Sequence, residues 1–245
     1  MSLNRGRIWA ITKKELRDYR RNRFIVGTMV IMPVLFSTLP TIEILALSPA
    51  ASTHTVNVVV GLAMLYLLLI PAIVPSTLSA HSVVGEREQG TLEPVLITPI
   101  RREEFLLGKA LAALVPTVAV SYVMFGVFLI LTATIANPIV ASDVFTAKHL
   151  LIQFLFSPLL AGWSIWVGIA ISSRSSDIRV AQQLGTLASL PPLALAVLIS
   201  SNVIPGTLGV ALAVAAGLLL IDGLGWRVIS ALFDRERLIT GQSSG

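Results

Sequence analysis

The chain has 245 residues, 55% of them hydrophobic and 13% charged, with a mean hydropathy of +0.84. A soluble domain carries about 25% charged residues, so this composition excludes a soluble core and describes a multi-spanning, all-α membrane protein. The net charge of +5 does not indicate a nucleic-acid partner, because Lys and Arg cluster at the ends of apolar runs; the lack of cysteine excludes disulfides and thiolate metal sites.

Residues 1–23 are basic and amphipathic. At 100° per residue, Ile8, Trp9, Ile11, Leu16 and Tyr19 share one arc, while Lys13, Lys14, Arg17, Arg20 and Arg21 take the opposite side. The pattern predicts an N-terminal interfacial helix lying in the headgroup layer, basic side towards anionic lipid.

Six transmembrane helices are expected next, at about 24–46, 56–80, 110–135, 150–172, 183–200 and 207–228. Each lies in an uncharged or nearly uncharged run, and roughly 20 helical residues cross a hydrocarbon core. The run 180–221 is long enough for two passes, with Ser201-Asn202-Val203-Ile204-Pro205-Gly206 as the turn between them. Of the 18 Lys and Arg residues, Lys148 alone falls on the outer side. The others place both termini and the 85–109 loop in the cytoplasm.

Several features inside the spans carry structural expectations. Pro33, Pro71, Pro75, Pro116, Pro158, Pro191 and Pro192 predict kinks or freed carbonyls that neighbouring groups must satisfy. Ser164/Gly168/Ser172, Ala181/Gly185/Ser189 and Gly209/Ala213/Gly217 are small-residue ladders that predict close helix contacts. Glu43 and Asp222 are expected at the two membrane interfaces, near the ends of their helices. His54, His81 and His149 are far apart in sequence and suggest no metal site.

The 85–109 loop is the most informative segment, with nine charged residues in twenty-five. The second transmembrane helix is expected to continue through Gly85 to Glu88, and Gly90 to break it. Thr91 then caps a short helix with Pro94 in its first turn, and Leu92, Val95 and Leu96 share one apolar face. A connector needs only a few residues; this loop is longer and stiffer, and so predicts a docking element. No catalytic set accompanies it. Gly108-Lys109 is followed by Ala110 and lacks the upstream glycine of a P-loop, and nucleophile-elbow and zinc-protease patterns are absent. The chain is expected to be no enzyme.

The run Glu86-Arg87-Glu88-Gln89-Gly90-Thr91-Leu92-Glu93, with Leu96, Thr98-Pro99-Ile100, Arg102, Glu104 and Gly108-Lys109, resembles the signature loop of the ABC-2 type permeases, the membrane subunits of type-2 ABC exporters. Six helices, cytoplasmic termini and a basic N-terminal helix are similar to that family along the whole of residues 1–245, read as one permease domain. The resemblance implies a separate ATP-binding subunit that carries the only nucleotide, so this chain has no cofactor of its own. It also implies a homodimer or a heterodimer of permeases in the cell membrane, and a coupling helix in the loop. By that resemblance the ATPase-coupling residues are Glu86, Arg87, Glu88, Gly90, Thr91, Leu92, Glu93, Val95 and Leu96. Only Leu47 to Thr55 separate the first two helices, unlike members with a large outer domain there. No motif marks the path or its cargo. The alternative function is a secondary transporter or channel, which would need polar groups near the bilayer centre.

Overall fold

The computed structural model describes residues 3–88, 90, 100–200 and 208–232 of the chain, and all their regular secondary structure is helical. Helix α1, Arg5–Arg21, starts at Asn4, whose side chain accepts the N–H groups of Gly6 and Arg7. It ends at Asn22, which in turn caps α2, Arg23–Leu45, by accepting from Phe24 and Ile25. One asparagine thus makes the elbow between an interfacial and a spanning helix.

Ser52 caps α3, Thr53–Ala80, which runs on through a π turn at His81–Gly85 to Glu86–Glu88. Then come α4, Arg102–Ile135; the short α5, Pro138–Val144; α6, Ala147–Arg174; α7, Ile178–Ala188; α8, Leu190–Ser200; and α9, Leu208–Leu232. Among the described residues, four helices are long and apolar enough to cross a membrane: Arg23–Leu45, Thr53–Glu88, Arg102–Ile135 and Ala147–Arg174. Each overlaps one of the first four expected spans. Gly90, at φ +68, ends the α3 extension where the sequence places the break.

Two expectations are corrected. The third span begins at Arg102, so the last eight residues of the expected loop are the first two turns of α4. The cause is the capping of that end: Glu104 accepts the backbone N–H of Arg101 at 3.2 Å. The segment expected as the fifth span is not one helix but two, α7 and α8, parted at Ser189. Pro191 and Pro192 have no N–H to give back to the preceding turn. The carbonyl of Ala188, left without its Pro192 donor, accepts the Trp163 indole N–H from α6 at 2.9 Å. Pro158 similarly frees the carbonyl of Phe154, which accepts the Tyr122 hydroxyl of α4 at 2.8 Å.

Helix α3 is the centre of the bundle, and Val60, Ala63, Leu68, Ile70, Ala72 and Leu78 along it are fully buried. Its tightest neighbour is α6, through the first ladder. Ser164 donates to the carbonyl of Ala72 at 2.9 Å, and a Cβ on Gly168 would come within 2.5 Å of the Ser79 Cβ. Gly185 of the second ladder faces Ser76 and the backbone of Gly168. The third ladder makes no such contact among the described residues: Gly209 and Gly217 have no atom near their Cβ positions. Helices α2 and α4 turn apolar stripes outwards, among them Val30, Leu35, Leu39 and Ile42, and Val115, Val123, Val127 and Ile130. Such stripes suit lipid contact.

Candidate functional site

The loop's base is set by the π turn. A turn widened by one residue rotates the residues after it by about 100° relative to a regular helix. Ser172 of α6 secures it: its hydroxyl donates to the carbonyl of Ala80 (2.8 Å) and accepts from the N–H groups of Val83 (3.3 Å) and Val84 (3.1 Å). Glu86 is thereby turned inwards and buried. There it pairs with Lys14 of α1 and, at 2.9 Å, with Lys109 of α4. Glu15 completes the cluster, its Oε1 3.0 Å from the Nζ of each lysine. Lys109 is only 1% exposed, and its Nζ also stands 4.9 Å from the centre of the Phe105 ring.

Two acids and two bases therefore join three helices. Desolvation would raise the Glu15 carboxyl, but Lys109 and Lys14 outweigh it and hold the group below its ordinary range. Desolvation would likewise lower Lys14, yet Glu15 and Glu86 hold its ammonium above the ordinary value. Tyr19, buried beside them, is pushed well above the usual phenol value by desolvation and by the neighbouring acids.

Helix α1 is docked on the start of α4. Glu104 accepts the Asn4 N–H at 2.9 Å and lies 3.5 Å from Arg7. Thr12 donates to the carbonyls of Ile8 (3.0 Å) and Gly108 (3.1 Å). A Cβ on Gly108 would come within 2.7 Å of Ile11, so glycine is what lets the two helices meet. This revises the expected arc. Ile11, Thr12, Glu15 and Tyr19 face protein, whereas Trp9 is 64% exposed and Lys14 reaches inwards. The spacing of Ile8, Ile11, Thr12, Glu15 and Tyr19 is that of one helical stripe, and the acid on that stripe was the signal that sequence reasoning missed.

Of the residues singled out in the loop, Glu86 and Arg87 anchor its root. The Arg87 guanidinium donates to the carbonyls of Ser175 (3.1 Å) and Ser173 (3.2 Å) at the end of α6. Helix C-terminal carbonyls lack intrahelical donors, so a cation there satisfies them. Glu88 and Gly90 are exposed. Thr91, Leu92, Glu93, Val95 and Leu96 lie outside the described residues.

Residues 9–203 match the family of ABC-2 family transporter proteins. The chain belongs to that family. It is 29% identical to the probable ABC transporter permease protein NosY of Stutzerimonas stutzeri over 159 residues, 64% of this chain and 56% of that protein. It is 28% identical to the NosY of Pseudomonas aeruginosa over 171 residues, 69% of this chain and 61% of that protein. The chain thus spans less than two thirds of the length of the relatives it matches. As an ABC-2 family member with four helices of spanning length, it is a multi-pass membrane protein.

This ABC-2 chain carries a second polar locus, and it corrects an expectation. Asp222 is not near the end of its helix: it is the fifteenth of the 25 residues of α9. It packs on Gly162, where a Cβ would come within 2.6 Å of its Oδ2. Gly162 is the sixteenth of the 28 residues of α6, a helix about 42 Å long and apolar enough to span a membrane, so the carboxyl lies beside the middle of that helix. Its Oδ1 is buried with no hydrogen-bond partner among the described residues. Glu43, by contrast, is exposed near the end of α2, in keeping with its expected place at an interface.

Proposed function

We propose that this chain is the membrane-spanning permease subunit of an ATP-driven exporter. Two permease chains, identical or related, form the path, and separate ATP-binding subunits drive it through the segment Glu86 to Leu96. This chain binds no nucleotide itself. The observation that carries the reading is the ion pair between Glu86 and Lys109, which clips together the two ends of the 85–109 loop. A load on a loop with loose ends dissipates in the loop. A load on this loop reaches α1 through Lys14 and Glu15, α4 through Lys109, and α6 through Arg87.

The same reading completes the topology. Helices α7 and α8 together cover 178–200, about 34 Å of helix, and make the fifth pass despite the break at Ser189. Helix α9 makes the sixth. Both termini and the loop face the cytoplasm, and the protein sits in the cell membrane.

ATP hydrolysed on a partner moves these helices only through a contact whose free energy differs between the ATPase states. Changing Leu92 and Leu96 together to Ala removes the apolar anchor of that contact, worth on the order of 2 kcal/mol. The expected result is weaker co-purification with the ATP-binding subunit, or lost stimulation of ATP hydrolysis, with normal insertion. Variants that assemble and transport like the parent would make the loop a passive connector and sink the reading.

Asp222 near mid-membrane favours a second reading, an ion-driven carrier. Transport by vesicles that contain this chain but no ATP-binding subunit would decide for that carrier.

A further inference from the structure

The groove beside Asp222 has a volume of about 600 Å³ and lies between α6, α7 and α9. That is within the usual range for small-molecule sites, roughly 300–1,000 Å³. Its lining is mostly apolar, including Val167, Leu184 and Ile221, with Trp163 and Trp166 as aromatic walls. Both rings are held in place. Trp163 is tied by its indole N–H to the carbonyl of Ala188, and Trp166 lies against Gly225, where a Cβ would come within 3.1 Å of the ring. Glycines thus seat both the carboxyl and the indole where α6 and α9 meet.

An ionisable group near mid-membrane is costly, and Leu would fill the place without that cost. The carboxyl is nevertheless accommodated by Gly162 and has an oxygen with no partner among the described residues. Arg174, also on the groove, is twelve residues further along α6, about 18 Å towards its end, too far to pair with it. What fits is a single positive charge on an apolar body. The charge faces Asp222 and the π faces of the two indoles attract it further, while the body covers the apolar wall.

We propose that the groove between α6, α7 and α9 binds lipophilic organic cations, with Asp222 as the counter-ion and Trp163 and Trp166 as the aromatic walls. This deepens the exporter reading by naming a cargo class, and it rests on that reading only for the step from binding to transport.

Tetraphenylphosphonium and tetraphenylborate have nearly the same shape and opposite charge, so they separate charge from greasiness. The full chain is placed in lipid nanodiscs without any ATP-binding subunit, and binding is measured by equilibrium dialysis, with uptake by empty nanodiscs subtracted. The parent protein is expected to bind the phosphonium saturably and the borate not at all. Asp222→Asn weakens phosphonium binding by about ten-fold or more, and Asp222→Glu, which keeps the charge, stays within about three-fold of the parent. No saturable phosphonium binding to the parent, equal binding of both ions, or an Asn variant that binds like the parent overturns the proposal. The comparison of the two ions on the parent protein needs no variant and so does not depend on any variant folding. If binding fails while the chain still co-purifies with an ATP-binding subunit, the cargo inference falls and the exporter reading stands. If binding succeeds without such co-purification, the groove stands as a cation site and the exporter reading falls.

Discussion

Glu86 and Lys109 form a buried ion pair, Oε2 to Nζ 2.9 Å, that joins the end of the α3 extension to a point two turns into α4. Lys109 is buried almost completely, and both carboxylates it meets belong to other helices. Losing Lys109 leaves Glu15 and Glu86 to share Lys14, with one buried negative charge in excess, and that excess costs more than the intact cluster contributes.

Lys109→Met should therefore destabilise the protein by about 3–5 kcal/mol, read as thermal unfolding in detergent. Adding Glu86→Gln to that variant removes the excess negative charge, leaving Lys14 with Glu15, and should recover part of the loss. If the double variant is no more stable than the single, the pairing is not what holds this junction.

Stability should depend on pH with a definite sign at each end. The folded Glu15 carboxyl lies below its ordinary value of 4.5, so its contribution is present above that pH and is lost as pH falls through the lower folded value. The folded Lys14 ammonium lies above its ordinary 10.5, so its contribution is present below that pH and is lost as pH rises through the higher folded value. Spin labels on Trp9→Cys and Arg102→Cys should keep one narrow distance between those limits. That distance should broaden in acid as α1 leaves α4. A distance that stays narrow in acid would show that Glu15 does not hold α1.

Gly108→Ala places a methyl group within 2.7 Å of Ile11 and 3.1 Å of the Ile8 carbonyl. The cost should be about 1–3 kcal/mol, with α1 displaced from α4. Gly126→Ala, on the same helix, meets nothing within 4 Å and should be neutral or stabilising by up to about 1 kcal/mol. Equal effects at both positions would argue against a close α1–α4 contact.

Glu86→Gln should separate transmission from contact. It leaves Leu92, Val95 and Leu96 unchanged, so assembly with an ATP-binding subunit should persist while stimulated ATP hydrolysis falls. The Leu92 and Leu96 variant should lose assembly itself. If Glu86→Gln behaves like the parent in both assays, the ion cluster is structural only.

The absence of native cysteine makes the topology directly testable. Ser52→Cys, Ser142→Cys and Ser201→Cys should react with an impermeant thiol reagent from outside. Ser2→Cys, Thr91→Cys and Ser243→Cys should react only after the membrane is opened. Outside labelling at Thr91→Cys would reverse the orientation.

Much of the fold is legible in the sequence because transfer into hydrocarbon is a local property that adds along the chain. The first four spans, the break at Gly90 and the close contact through Ser164, Gly168 and Ser172 follow from apolar length, a glycine and small side chains. The site is less legible. Glu86 and Arg87 read as part of a docking segment, yet they anchor its root, and their partners lie on other helices. Lys14 reads as lipid-facing, because a sequence pattern averages over a stripe and loses its exact phase.

That this is a membrane protein, where its first four long helices run and which loop is charged can all be read along the chain, since charge density and apolar length need no knowledge of the partners. Which charges meet depends on how the helices pack. Lys14, Glu15, Glu86 and Lys109 come from three separate helices, and the π turn sets the rotation that brings Glu86 between the two lysines. Asp222 was likewise settled by packing: its expected place near a helix end suggested an interface, but the absent Cβ of Gly162 gives it a place beside the middle of α6. Solvation preferences are read one residue at a time, whereas pairing depends on where distant helices cross and on the rotational phase of each at the crossing.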